Sequence, residues 1–414
     1  MGEVPSRSVF AYRAFALFWR ARVLSTLAVQ AESVTIGWQV YTVARHGRSV
    51  EESAFQLGLV GLAQFVPLFV LTLFAGATAD RHDRRSIVLA CTGVEIACVL
   101  VLAGLALHPG PSQGPIFLIA VLFGASRAFL SPAIGAIGPM LVPRELLPRA
   151  ISSNSLGDQA GLVIGPWIGG ALCSFSPTVA YVGSAVLYGL AAVALLSIRA
   201  NTLPERQPGS RLEQIREGIA YVWTNKIVLG AISLDLFAVL LGGASALLPV
   251  FARDVLDVGA HGFGVLRSGP AIGAAVMALA LSRWPLHRRA GRWMFAGVAA
   301  FGVATVVFAV SRSLTVSVIA LAALGAADMI SVYVRQSLVQ IVTPDSMRGR
   351  VSAVSNLFIG ASAELGEFET GVVARLLGPV GAAIFGGVGS LVVTGVWAKI
   401  FPSLRNADRL DGRC

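Results

Sequence analysis

The chain has 414 residues, 55% of them hydrophobic and only 13% charged, and its mean hydropathy is +0.75. Soluble domains carry about 25% charged residues, so a single water-soluble core is excluded; apolar runs of about 20 residues recur along the whole length and read as membrane spans. The formal net charge of +10 does not indicate a nucleic-acid partner, because the basic residues are scattered between apolar runs instead of forming one patch.

Taken in order, the apolar runs predict twelve spans, each a helix because lipid offers no partner for an open backbone. Met1 to Arg22 carries four arginines and no short apolar core with a cleavage site, so it reads as a cytoplasmic tail and not a signal peptide. The first six spans fall near 23–44, 55–79, 86–107, 115–142, 149–174 and 177–198. The second six fall near 227–250, 262–282, 293–311, 313–342, 350–374 and 379–400. Three domains are expected: a six-helix bundle over 1–198, a cytoplasmic linker over 199–226, and a second six-helix bundle over 227–414. Within the linker, Leu212, Ile215, Ile219, Val222 and Trp223 recur at helical spacing. Ser210 and Glu213 have the spacing of a capping box. Two readings stand for this helix: a basic amphipathic helix on the headgroups, or the soluble lead-in to span seven.

The basic residues give the orientation. With the N-terminus inside, twenty-four lysines and arginines fall on cytoplasmic segments and five on outer loops. Both termini are therefore expected in the cytoplasm. An internal repeat at an offset of 201 aligns Gly124-Ala125 with Gly325-Ala326, Pro143 with Pro344 and Arg149 with Arg350.

Polar residues inside spans are the candidates for chemistry, since ionisable groups at membrane depth are costly and mark pathways. Span one carries a stripe at helical spacing: Ser25, Glu32, Thr35, Gln39 and Thr42. Arg127 lies in span four, Asp235 in span seven, and Asp328, Ser331 and Arg335 in span ten. The repeat makes Arg127 and Asp328 equivalent, and they are expected to face each other across a cavity, directly or through substrate. Protonation of Asp328 or Glu32 would then change the charge balance of a poorly solvated space. Asp158, Asp235 and Glu95 are weaker candidates, and each charge has the alternative of a structural ion pair. Glu364, Glu367 and Glu369 in span eleven have Arg267 and Arg375 as possible counter-ions.

Several chemistries are not indicated. Cys91, Cys98 and Cys173 sit in apolar spans and Cys414 is last, so neither a disulfide framework nor a metal site is expected. No Walker sequence points to ATP. His46, His82, His108, His261 and His287 lie in or beside loops, which argues against a buried histidine relay. No catalytic constellation is seen, so no enzyme and no cofactor are expected.

Two motifs carry a family resemblance. Gly76-Ala-Thr-Ala-Asp80-Arg81-His-Asp-Arg84-Arg85 is similar to the G-x-L-A-D-R-x-G-R-[RK] loop between the second and third helices of major facilitator superfamily transporters. Thr78 and Asp83 depart from it. Gly157-x3-Gly161-x3-Gly165-Pro166-Trp-Ile-Gly169-Gly170 in span five resembles the G-x3-G-P-x-x-G-G motif of that superfamily's proton-coupled exporters. Glycines four apart line one helix face and permit close packing; Pro166 removes a backbone donor and can bend the helix. Arg127 resembles the arginine of a third motif, but Leu130 and Ser131 replace the expected Gln and Gly.

The resemblance implies an all-α membrane protein whose two six-helix bundles are related by an axis along the membrane normal. It implies a cytoplasmic latch at Gly76, Asp80, Arg81, Arg84 and Arg85. Asp80 would cap a helix N-terminus and pair with an arginine. The second-half copy, Arg283 to Arg289, has Trp284 in the aspartate's place, so one strong latch is expected. Spans one, four, seven and ten line the central cavity in this superfamily, making Glu32, Arg127, Asp235, Asp328 and Arg335 proton-coupling candidates and Thr35, Trp38, Gln39 and Ser331 cavity candidates. Trp38-Gln-Val-Tyr41 and Gly165-Pro166 resemble the drug:proton antiporter branch that contains the enterobactin exporter and macrolide efflux proteins.

Proton-driven export of a small amphipathic compound, drug-like or siderophore, across the cytoplasmic membrane by a monomer is therefore expected. A lipid or lysophospholipid flippase, an uptake symporter and a non-transporting receptor are the alternatives.

Overall fold

A computed structural model describes residues 8–79, 81–107, 113–200, 203, 211–286 and 288–408. In the first half the long helices are α1 (Arg13–Ala44), α2 (Val50–Ala79), α3 (Arg84–Ala106), α4 (Gln113–Met140), α5 (Leu147–Phe175) and α6 (Pro177–Leu196). The linker supplies α7 (Arg211–Thr224). Then come α8 (Lys226–Leu241), the short turn α9 (Leu248–Val250), α10 (Gly259–Arg283), α11 (Ala290–Val310), α12 (Leu314–Val342), α13 (Asp345–Ile400) and the terminal α14 (Pro402–Arg405).

Among the described residues, nine stretches are long and apolar enough to cross a membrane. One of them, Phe358–Ile400, has 43 residues. At about 1.5 Å per residue it would reach about 65 Å, twice a hydrocarbon core of about 30 Å. It does not run straight. Gly378 holds φ 74 and ψ 165 and precedes Pro379, so α13 breaks there into two spans. α1 and α5 complete the set of twelve; their polar residues, turned toward neighbouring helices, lower their mean hydropathy.

Local chemistry fixes the helix starts. The side chain of Ser176 accepts from the Val179 amide at the head of α6, and that of Asn225 accepts from the Ile227 and Val228 amides at the head of α8. These caps satisfy donors that the first helical turn leaves unpaired. Three boundaries differ from the sequence reading. α1 starts at Arg13 and not near 23, because Phe15 and Phe18 bury completely among Val88, Ile137 and Leu146. α8 stops at Leu241, where Gly242 and Gly243 admit a turn before the chain resumes as α9 and a π-turn over Phe251–Val255. The last two expected spans emerge from one helix broken at Gly378.

α7 lies against the second half of the chain. The Tyr221 hydroxyl donates to the Val342 carbonyl at 3.0 Å, Arg350 pairs with Glu217, and Val222 buries among Val339, Val351 and Val354. Trp223 stays exposed on the other side. Ser210 and the side chains of Leu212, Glu213 and Ile215 lie outside the described residues, as do His108, His287 and Cys414.

By packing, the chain forms two compact units. The first comprises Met1–Val43, Ala63–Gln207 and Gly259–Ser268; the second comprises Ala44–Leu62, Pro208–Val258 and Gly269–Cys414. α2 and α10 thus each contribute residues to both units.

Gly378→Ala is expected to destabilise the protein by about 1–3 kcal/mol, because a side chain at this positive φ is strained. Gly349→Ala, where an added Cβ meets nothing within 4 Å, is the control. Thermal unfolding of the two purified variants compares them, and equal midpoints would refute the strained-hinge reading.

Candidate functional site

Within the first unit, the polar stripe of α1 meets α3, α4 and α6. Glu32 is 2% exposed. Its Oε2 accepts from the Tyr188 hydroxyl at 3.0 Å. Two turns on, Gln39 Oε1 accepts from the Tyr181 hydroxyl at 2.6 Å, and Thr35 donates to the Ala31 carbonyl at 2.8 Å. Glu95 of α3 is equally buried, and its Oε1 accepts from Ser126 of α4 at 3.2 Å. Arg127 follows Ser126 and donates to Gln64 Oε1 of α2 at 3.0 Å. Glu32, Glu95 and Arg127 lie within electrostatic reach of one another.

The second unit holds a parallel group. Asp235 of α8 pairs with Arg335 Nε of α12 at 3.4 Å, and Arg335 Nη1 donates to Ser355 of α13 at 3.2 Å. Asp328 lies within electrostatic reach of both Asp235 and Arg335. Asp235, Asp328, Ser331 and Phe301 line a small cavity of about 10 Å³. Arg127 and Asp328, equivalent in the repeat, each have polar neighbours inside their own unit.

The glycines of α5 have two distinct partners. A Cβ at Gly157 would strike Val23 and Trp19, one at Gly161 would strike Thr26, one at Gly165 would strike Gln30, and one at Gly169 would lie 2.6 Å from the Ala31 carbonyl. This face therefore seats directly on α1. Gly170 turns instead to α10, where its Cβ would lie 2.7 Å from Gly264 Cα, and a Cβ at Gly264 would lie 2.5 Å from the Pro166 carbonyl. The contact with α1 is fastened at one end by Arg22, which binds Asp158 through two hydrogen bonds of 2.8 and 2.6 Å. Asp158 is thus a structural ion-pair partner. Trp38 stacks on Phe263 with centroids 6.4 Å apart and packs against the buried cluster of Cys173, Ala180 and Ala260.

Around the basic loop, Gly76 is buried and Arg81 is exposed, while Asp80 lies outside the described residues. Arg85 donates to the Leu195 and Leu196 carbonyls at 2.9 and 2.7 Å, supplying a cation at the C-terminus of α6. Arg84 donates to the Ala79 carbonyl at 3.4 Å. Asp83, standing where the motif has glycine, accepts from the Ser86 amide at 3.1 Å and caps α3. The second-half copy finds an aspartate from elsewhere: Arg289 N donates to Asp408 Oδ1 at 3.0 Å, and Arg288 lies 3.9 Å from Asp408. Near the start of α2, Arg375 sits over the Phe55 ring at 5.1 Å.

Sequence reasoning named the charged residues of α1, α4, α8 and α12. It gave Glu95 little weight and missed Gln64, Ser126, Tyr181, Tyr188 and Ser355. A glutamate in an apolar span was the available signal for Glu95. Nothing local marks the hydroxyl donors, which become visible only once helices pack.

A family model described as transmembrane secretion effector matches residues 6–413. Enterobactin exporter EntS of Escherichia coli (strain K12) is 26% identical over 403 residues, covering 95% of this chain and 93% of that protein. Among solved structures, a mutant of nucleoside transporter NupG superposes with a TM-score of 0.75 at 13% identity, covering 94% of this chain and 100% of the other. A bacterial homologue of iron transporter ferroportin, in an inward-facing state, gives a TM-score of 0.68 at 18% identity, covering 95% and 100%. At these identities the structures show the fold alone, that of major facilitator transporters with twelve membrane helices.

Gly169→Val places branched carbon where the α1 backbone now lies, and overpacking of this kind costs about 1–3 kcal/mol. The expected result is a lower unfolding temperature than for Gly189→Val, whose Cβ would meet nothing within 4 Å. Indistinguishable unfolding temperatures would show that the glycine face is not a close-packed seam.

Proposed function

We propose that this chain, which belongs to the transmembrane secretion effector family, exports a small amphipathic compound, a siderophore or drug-like molecule, across the cytoplasmic membrane in exchange for protons. The observation that carries the reading is the buried acidic stripe of α1, with Glu32 held by Tyr188 and Glu95 and Arg127 in reach, combined with full-length similarity to an exporter of enterobactin. Ionisable groups at membrane depth mark substrate and proton pathways. A soluble binding module has no use for such a cluster, and a passive pore has no use for the seam between α5 and its neighbours.

The mechanism is alternating access. Substrate binds from the cytoplasm or inner leaflet between two bundles, 1–198 and 227–414, joined by the linker over 199–226. Protonation and deprotonation of Glu32, Asp235 or Asp328, each beside an arginine or a hydroxyl, change the charge of a poorly solvated interior and bias which side is open. Arg127 and Arg335 hold that balance. Thr35, Trp38, Gln39 and Ser331 are proposed to border the substrate path.

The glycine face of α5 gives a smooth surface along which neighbouring helices slide. The cytoplasmic loop acts as a latch, with Asp80 pairing to a helix end while Arg84 and Arg85 tie α2, α3 and α6 together. The protein is proposed to lie in the inner membrane as a monomer with both termini in the cytoplasm, in keeping with the arginine distribution.

Proteoliposomes with fixed protein orientation and an imposed pH gradient test the reading. A panel of a catechol siderophore, a macrolide, a lipophilic cation and a lysophospholipid is offered to wild type and Glu32→Gln. Uphill accumulation of one of the first three compounds, opposite in direction to the proton gradient and at least tenfold weaker in Glu32→Gln, is expected. Movement of only the lysophospholipid, or of substrate in the same direction as protons, would replace the proposal with a flippase or a symporter. Asp80→Asn is expected to lower the transport rate at least tenfold without lowering the amount of folded protein; a wild-type rate would remove the latch.

A further inference from the structure

The internal repeat aligns Arg149, near the start of α5, with Arg350, near the start of α13. In the second unit that arginine is occupied. Arg350 Nη1 donates to Glu217 Oε2 of α7. Val222 of the same helix buries with Val351 and Val354, and a Cβ at Gly218 would lie 2.8 Å from the Arg350 carbonyl. α7 thus covers the start of α13 with an apolar contact and sets a carboxylate on the arginine.

In the first unit only half of this arrangement is present. The chain before α1 supplies the apolar part: a tight turn over Val9–Ala11 buries Val9 in the cluster that holds Leu146 and Ala150. It supplies no acid. Among the described residues none bonds or pairs with the Arg149 side chain, which is exposed; Glu145, one turn earlier, is exposed as well and does not engage it. Where the acid would stand there is an open pocket of about 510 Å³, lined by Ser8, Phe10, Pro148, Arg149, Ser152 and Ser153. Sites for drug-sized ligands span about 300–1,000 Å³.

The walls of this pocket are fixed and its donors are free. Trp19 Nε1 donates to the Ser153 carbonyl at 2.8 Å, and Phe10 meets Trp19 edge-on with ring centroids 5.3 Å apart. Serines and threonines elsewhere on these helices return their hydroxyls to the carbonyl one turn back, as Thr26, Thr92 and Ser184 do. The hydroxyls of Ser152 and Ser153 have no partner among the described residues. A guanidinium matches a carboxylate in a forked pair, and the hydroxyls can donate to the lone pairs that the fork leaves open.

We propose that this pocket binds a small amphipathic anion. Arg149 holds its carboxylate as Arg350 holds that of Glu217, Ser152 and Ser153 donate to the same group, and Phe10 and Pro148 take its apolar ring. The pocket lies at the end of α5 that the arginine distribution assigns to the cytoplasm, so it meets a compound before the compound enters the protein. Its use as a loading station, and the choice of flat carboxylates over cations as substrates, rest on the exporter reading above; the binding itself does not.

Isothermal titration of the full-length protein in nanodiscs of zwitterionic lipid, with naphthoate as the probe and empty nanodiscs as the blank, tests the site. Saturable binding is expected in wild type. It is expected to be at least tenfold weaker in Arg149→Gln and partly recovered in Arg149→Lys, which restores the charge without the fork. Ser152→Ala combined with Ser153→Ala is expected to weaken it at least threefold. Naphthamide, which has the ring without the charge, and inorganic phosphate, which has the charge without the ring, are each expected to bind wild type at least tenfold more weakly than naphthoate. These two comparisons need no variant to fold.

Equal naphthoate affinity in wild type and Arg149→Gln would overturn the proposal. So would naphthamide or phosphate binding as tightly as naphthoate, the first marking a merely apolar patch and the second a bare anion spot. Loss of naphthoate binding in nanodiscs containing phosphatidylglycerol would assign the pocket to lipid headgroups and overturn it too. No step of this assay moves substrate across the membrane, so failure of the exporter reading and failure of the binding site are separable.

Discussion

The structure depends on one constraint: charge and open backbone have no partner in hydrocarbon, so each must be answered by the chain itself. The backbone is answered by helices. The charges are answered by two groups, Glu32, Glu95 and Arg127 in one unit and Asp235, Asp328 and Arg335 in the other. Neither group is fully neutral as drawn with every acid ionised. That residual imbalance is where a proton gradient can act, since adding or removing one proton changes the electrostatic energy of a buried cluster far more than it would in water.

Close packing follows from the same constraint. Lipid tails are as apolar as the helix surfaces, so helices associate through contact area and not through hydrophobic exclusion. The α5 glycines bring its backbone onto α1, and Gly170 brings it onto Gly264 of α10. Side chains that interlock would resist sliding, whereas a glycine face leaves little to disengage. The first part of α2 uses the same device: a Cβ at Gly58 would lie 3.0 Å from Gly371 Cα of α13. Polar fasteners add to these contacts: Arg22 holds Asp158, and Arg85 holds the carbonyls at the end of α6.

Much of this was legible in the chain because its signals are local. Long apolar runs give spans, and glycines at four-residue spacing give a packing face. What was not legible depends on distance in sequence. Asp408 answers Arg289 across more than a hundred residues, and Tyr188 answers Glu32 across a similar gap. Asp83 looked like a departure from a motif and proves to be a helix cap. Trp38, a cavity candidate, stacks on Phe263, a partner more than two hundred residues away in sequence. The extension of α1 back to Arg13 was hidden because its inward residues, Phe15 and Phe18, lie in a short run bounded by Arg13 on one side and Arg20 and Arg22 on the other.

The central claim is that substrate movement and proton movement are opposite and obligatorily linked. Its most direct measurement is the internal pH of substrate-loaded proteoliposomes, read by a trapped dye as a transported catechol siderophore leaves. The account predicts internal acidification that starts with efflux, scales with the amount exported and is at least tenfold weaker in Glu32→Gln. Efflux at the wild-type rate with no change in internal pH would contradict it.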